Sequence, residues 1–138
     1  MHQFEEISRQ VIGAALAVHR GLGPGFLESV YHTAMKVSLA HRLVPFMSEV
    51  LVDIRFEGVN VGQARLDLVV AKQLVLELKA VDALHDIHFA QLRSYLRAAQ
   101  LRLGLFSELQ CTHSCHQTHC PRLSLALSFV LSVPFVLS

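Results

Sequence analysis

The chain has 138 residues, 52% of them hydrophobic, with 12 lysines and arginines against 11 acids. That length fits one domain, that apolar fraction fills a core and excludes a disordered chain, and a net charge of +1 leaves no chain-wide footprint for nucleic acid, although local patches remain open to it. MHQFEEIS at the start has neither the basic nor the apolar region of a signal peptide, and three cysteines confined to 111–120 are no spread disulfide framework, so a cytoplasmic protein is expected.

Residues 4–19 place Phe4, Ile7, Val11, Ala14, Ala15 and Val18 at helical spacing. GLGPG at 21–25 interrupts them with two kinds of breaker. A second helix is predicted over 26–42, with Leu27, Val30, Tyr31, Ala34 and Leu39 as its buried stripe. Residues 46–56 read as a strand with Val50, Val52, Ile54 and Phe56 on one face, EGVN at 57–60 as a turn, and 61–70 and 74–80 as two further strands. Helical spacing returns over 87–100, and 101–106 reads as a last core strand. The order helix, helix, strand, strand, strand, helix, strand predicts an α/β (α+β) fold, a central mixed sheet flanked by helices.

The character changes after Phe106, so the expected organisation is a domain at 1–106 and an atypical tail at 107–138. CTHSCHQTHC at 111–120 holds enough ligands for zinc, but its C-x₃-C-x₄-C spacing matches no familiar zinc pattern. Residues 123–138 carry no charge. That run is too short for a spanning helix, and no membrane partner is expected. An irregular tail of the kind a shifted reading frame produces is the reading adopted for both pieces.

Charge inside the apolar strands is the informative feature. Asp67, Glu77 and Lys79 interrupt ARLDLVVAKQLVLELKA at 64–80. Side chains alternate across a strand, so Glu77 and Lys79 share a face with Val75, and Asp67 shares one with Arg65 and Val69. If 71–73 is a three-residue hairpin loop, Val70 pairs with Leu74 and Asp67 falls opposite Glu77. Two facing carboxylates repel. A divalent cation between them removes the conflict, and Mg²⁺ suits one or two carboxylates with a shell of waters. Lys79 would stand beside it. The competing reading is an edge strand carrying ordinary solvated charges.

These residues carry a family resemblance. D…E-x-K on a hairpin resembles the PD-(D/E)XK nuclease superfamily. HRGLGPGFLESVY at 19–31 resembles the signature of the GxxExxY proteins, with Gly25, Glu28 and Tyr31 in the named positions. LDLVV at 66–70, LELKAV at 76–81 and AQLRSYLRAAQLRLGL at 90–105 are similar to that family in order and spacing. The resemblance covers residues 4–106 and implies a restriction-endonuclease-like core. It implies Asp67 and Glu77 as metal-binding acids, Glu28 as a helical acid projecting toward the metal, and Lys79 as the catalytic lysine. Gln91 and Tyr95 match a Q-x-x-x-Y helix motif, Gln91 with the catalytic set and Tyr95 toward substrate. The implied cofactor is Mg²⁺ or Mn²⁺, the implied substrate a phosphodiester of DNA or RNA, and a homo-oligomer is compatible. The alternative is a catalytically silent nucleic-acid-binding or adaptor module that keeps the fold.

The helix supports that placement. Gln91 and Tyr95 are four apart and share a face, at the margin of an arc formed by Phe89, Leu92, Leu96 and Ala99. Arg93 and Arg97 project away from it. His19 ends the first helical stretch, and a capping or packing role is expected of it.

Overall fold

The computed structural model describes residues 2–79, 84–108 and 127–131. The Cys/His-rich stretch at 111–120 lies outside the described residues. The elements are α1 (His2–Leu22), α2 (Glu28–His41), β1 (Phe46–Phe56), β2 (Val59–Val70), β3 (Leu74–Lys79), α3 (Asp86–Ala99), β4 (Leu103–Glu108) and β5 (Leu127–Leu131). The strands form one sheet in the order β1-β2-β3-β4-β5. β3 and β4 are parallel, and the other neighbours are antiparallel. A parallel pair needs a crossover, and α3 lies in the connection from β3 to β4.

Helices cover both faces, as the element order predicts. Val11, Ala14, Ala15 and Val18 of α1 and Tyr31, Met35 and Leu39 of α2 pack on Leu68, Val70, Leu74, Leu76 and Leu78. Leu92 and Leu96 of α3 pack on Val69, Val75 and Phe106 on the other side. Two hydrogen bonds join α1 to α2: Ser38 Oγ donates to the Ala14 carbonyl (3.1 Å) and Arg42 to the Gly13 carbonyl (3.0 Å).

The structure corrects several expectations. α1 runs through Gly21 to Leu22 and stops where Gly23 turns left-handed at φ 68°. α2 starts at Glu28, with Leu27 as its extended N-cap. Leu27 is therefore 76% exposed and Val30 is exposed also. The buried stripe follows Tyr31, Met35 and Leu39 at four-residue spacing. The first hairpin turns on Glu57 and Gly58 alone, both left-handed (φ 48° and 79°), as a two-residue type I′ turn requires, so β2 begins at Val59. Ile54 and Phe56 of β1 are exposed, whereas Val50 and Val52 are half-buried against α3. Gln100 caps α3 in the left-handed region, which delays β4 to Leu103. Residues 127–131 of the apolar tail form β5, antiparallel to β4 with Leu131 opposite Leu103. Among the described residues no helix is long and apolar enough to cross a membrane.

Gly104 lets α3 lie directly on β4. A Cβ there would sit 2.9 Å from Leu92 Cδ2 and 3.0 Å from both Leu92 Cγ and Leu96 Cδ1. Both leucines are fully buried and have no room to withdraw. Gly104→Ala is expected to destabilise the fold by about 1–3 kcal/mol, read as a lower urea midpoint at unchanged slope.

Candidate active site

The β2–β3 hairpin has the register that places the acids face to face. Leu68 pairs with Leu76, Val69 with Val75 and Val70 with Leu74. The connection 71–73 turns on two left-handed residues, Ala71 and Lys72. One step beyond Leu68↔Leu76, side chains stand in for the backbone ladder. The Asp67 amide donates to Glu77 Oε1 (3.2 Å), and the Leu78 amide donates to Asp67 Oδ2 (2.9 Å). Each acid thus takes an amide of the opposite strand, which holds both side chains between β2 and β3.

The face pattern turns over at the same place. Leu68 packs with α1 and α2, yet Leu66 packs with α3, although strict alternation puts residues two apart on one side. β1 makes the matching change. Phe46 packs on the α1/α2 side and Val50 and Val52 on the α3 side. Between them Glu49 is left-handed at φ 53°, a conformation uncommon outside glycine. Asp67 sits at this crossing, half-buried. It opens into a cleft of about 190 Å³ lined by Glu28, Ser29, His32, Glu49, Arg65, Asp67 and Leu78.

Glu77 is only 4% exposed. Burial first, and then the charge of Asp67, push its carboxyl up to about 8, against the opposing pull of the Asp67 backbone amide and of Lys79. Without a counter-cation Glu77 therefore holds a proton at neutral pH. Lys79, two residues on along β3, is half-buried.

The loop before α2 explains the Gly-x-x-Glu-x-x-Tyr spacing physically. Gly23 and Gly25 have φ of 68° and 106°, which glycine adopts without strain. The Tyr31 hydroxyl donates to the Gly23 carbonyl (2.6 Å) and accepts from the Phe26 amide (3.2 Å). Its ring meets Phe26 edge-on at 6.2 Å. Tyr31 thus pins the loop to the first turn of α2, where Glu28 stands on the cleft wall. Tyr31→Phe is expected to lower stability by about 1–2 kcal/mol, seen in the denaturation midpoint.

On α3, Gln91 Nε2 donates to the Tyr95 hydroxyl (2.7 Å). Phe89, Leu92, Leu96 and Ala99 pack inward, and Arg93 and Arg97 are exposed. α3 covers the face that carries Val75 and Phe106. Phe106 is aligned with Glu77 across β3–β4, so the Gln91–Tyr95 pair is on the helix over the Glu77 face, while Glu28 is on the helix over the other. His19 is 2% exposed, and burial holds its imidazole below the ordinary range. A charged helix cap does not fit that burial; a neutral packing role does.

His32 escaped the sequence reading. Its Nε2 lies 3.2 Å from the Asp67 carbonyl oxygen, one helical turn after Glu28. That four-residue spacing was its only signal. Arg65 and Glu49 form an ion pair at 3.7 Å on the cleft rim.

Among the described residues no group of three or more His, Cys, Asp or Glu is close enough to enclose a metal ion. The paired carboxyl groups of Asp67 and Glu77 do fit a hydrated divalent cation, which takes one or two carboxylates and keeps several waters. Such a cation would also offset the burial and the Asp67 charge that together keep Glu77 protonated.

Comparison with known proteins agrees with this architecture. No curated protein matches the sequence. A crystal structure described as that of SSO0001 superposes with a TM-score of 0.54 at 18% identity, over 75% of this chain and 49% of that one. The chain thus spans about half the length of that structure, and at this identity the likeness is one of fold. The family model of the PD-(D/E)XK nuclease superfamily matches residues 5–118, most of the sequence and all of the β2–β3 hairpin. With its mixed sheet, flanking helices and D…E-x-K hairpin, the chain belongs to the PD-(D/E)XK nuclease superfamily.

Proposed function

We propose that the protein is a metal-dependent nuclease of the GxxExxY type, which hydrolyses phosphodiester bonds of nucleic acid in the cytoplasm. The observation that carries this reading is the exchange at Asp67 and Glu77, where each carboxyl group accepts an amide of the other strand and so lies between β2 and β3. Asp67 and Glu77 would hold the cation, with Glu28 and the Leu78 carbonyl, both on the cleft wall, as the further ligands available to it. A bound Mg²⁺ or Mn²⁺ supplies a Lewis acid and a water of lowered pKa. Lys79 places an ammonium next to the acids, where it stabilises the negative charge that grows on the phosphate oxygens. Gln91 and Tyr95 orient the substrate from α3. The nuclease-like domain is assigned to residues 1–106 and the tail to 107–138, the tail adding the last two residues of β4 and the whole of β5 to the sheet.

One observation favours a silent binding module: Glu28 is exposed on the cleft wall. Labelled DNA and RNA incubated with the protein and Mg²⁺ or Mn²⁺ separate the two readings. The nuclease reading expects cation-dependent cleavage that falls about 10²–10³-fold in Lys79→Ala. Absence of cleavage by folded protein across single- and double-stranded substrates puts the silent module first.

A further inference from the structure

β1 is an edge strand of the sheet, and its hairpin carries uncovered apolar side chains. Leu51, Ile54, Phe56, Val59 and Val61 are between 40% and 66% exposed. Among the described residues no strand pairs with this edge, and such an edge is a template for another strand. Left-handed Glu49 bounds its regular part on one side, and the register shift between Ile54 and Arg55 skips Val61 of β2, so β1 itself adds no residue there. The stretch from Glu49 to Arg55 is centred on Val52.

We infer that this edge is a homodimer interface, in which β1 of two copies pairs antiparallel about a two-fold axis at Val52. In that register Glu49 falls opposite Arg55 of the partner subunit, and the two-fold repeats the pair on one face, next to the ion pairs that Glu49 makes with Arg65 (3.7 Å) and Arg55 with Asp53 (3.8 Å) in its own chain; Leu51, opposite the partner's Asp53, is the one mismatched position on that face. On the other face Val50 lies opposite the partner's Ile54, and Val52 opposite the partner's Val52. Cross-strand pairs of both kinds are favourable. Sliding the copies by one two-residue step fails in either direction. One slide sets Glu49 against the partner's Asp53. The other sets Glu49 against the partner's Glu57 and Asp53 against the partner's Asp53. An isologous two-fold contact is also the commonest way a chain closes on itself.

The arrangement has a consequence for the site, which rests on the nuclease reading. Glu49 lines the cleft that holds Asp67. Arg55 of the partner subunit would stand at that rim, as a planar cation suited to a phosphate oxygen.

Sedimentation of the full chain tests the interface without any assay of cleavage, so the two readings fail separately. The expected result is a monomer–dimer equilibrium over about 1–200 µM. Arg55→Glu is expected to weaken association about tenfold or more, and Glu49→Arg with Arg55→Glu to restore it. Arg55 is exposed with 63% of its side chain in solvent, and circular dichroism of each variant verifies that it folds. A wild-type chain that stays monomeric, a dimer indifferent to Arg55→Glu, or a double variant that fails to recover would each overturn the inference.

Discussion

Asp67→Asn is expected to stay folded and to lose at least about a hundredfold in Mn²⁺ affinity, whereas Asp67→Ala is expected to lose the affinity and stability together. The difference follows from the two jobs of one side chain. Asp67 Oδ2 accepts the Leu78 amide, and Leu78 is 1% exposed. An asparagine oxygen still accepts that bond but supplies no charge to a cation. An alanine leaves the amide unpaired in a buried strand, which costs about 1–3 kcal/mol. Urea denaturation and calorimetric titration with Mn²⁺ on both variants read the two effects apart. Equal stability of Asn and Ala variants would remove the structural role of Asp67; unchanged Mn²⁺ binding in Asp67→Asn would remove its ligand role.

The contribution of Glu77 to stability in the absence of divalent cations is expected to fall as pH rises from about 4.5 to about 8. The folded-state value of this carboxyl is raised to about 8 from the ordinary 4.5, so between those values the folded chain binds a proton that the unfolded chain has released. The contribution is fully present below about 4.5 and is lost as pH rises through about 8. The slope it adds is at most about 1.4 kcal/mol per pH unit. Glu77→Gln is expected to flatten that part of the profile, and the wild type minus variant difference isolates it from other titrations. Mg²⁺ or Mn²⁺ should raise the melting temperature of the wild type more at pH 8 than at pH 6, because at the lower pH binding must displace the proton. A wild-type profile parallel to that of Glu77→Gln would contradict the coupling.

Much of the hairpin was legible beforehand. AKQ between two apolar runs predicts a three-residue connection, which fixes Val70 opposite Leu74 and so Asp67 next to Glu77; the observed register agrees. Period-two reasoning could not foresee the exchange of side chains for ladder bonds, because it assumes an unbroken backbone ladder. It also missed the face change at Glu49 and Asp67. A left-handed glutamate within a strand leaves no sign in composition, and only the packing of Phe46 against one cluster and Val50 against the other exposes it.

The helices show the same division. Tyr31 and Leu39 were expected in the core and are there, because four-residue spacing is strong evidence for a face. Leu27 and Val30 were misplaced because the phase of α2 is set by Tyr31 binding back to Gly23, a tertiary staple that periodicity does not encode. The Glu28–Asp67 cleft depends on that staple and on long-range packing. The sequence motif marks Glu28 but leaves His32 unmarked.

The most direct test is a crystal structure with Mn²⁺, using its anomalous scattering to find the ion. The account predicts a peak in the gap between Asp67 and Glu77, within coordination distance of both carboxyl groups and absent from Asp67→Asn crystals. Saturating Mn²⁺ with no density there, or an ion bound elsewhere while the two side chains turn to opposite faces of the sheet, would contradict it.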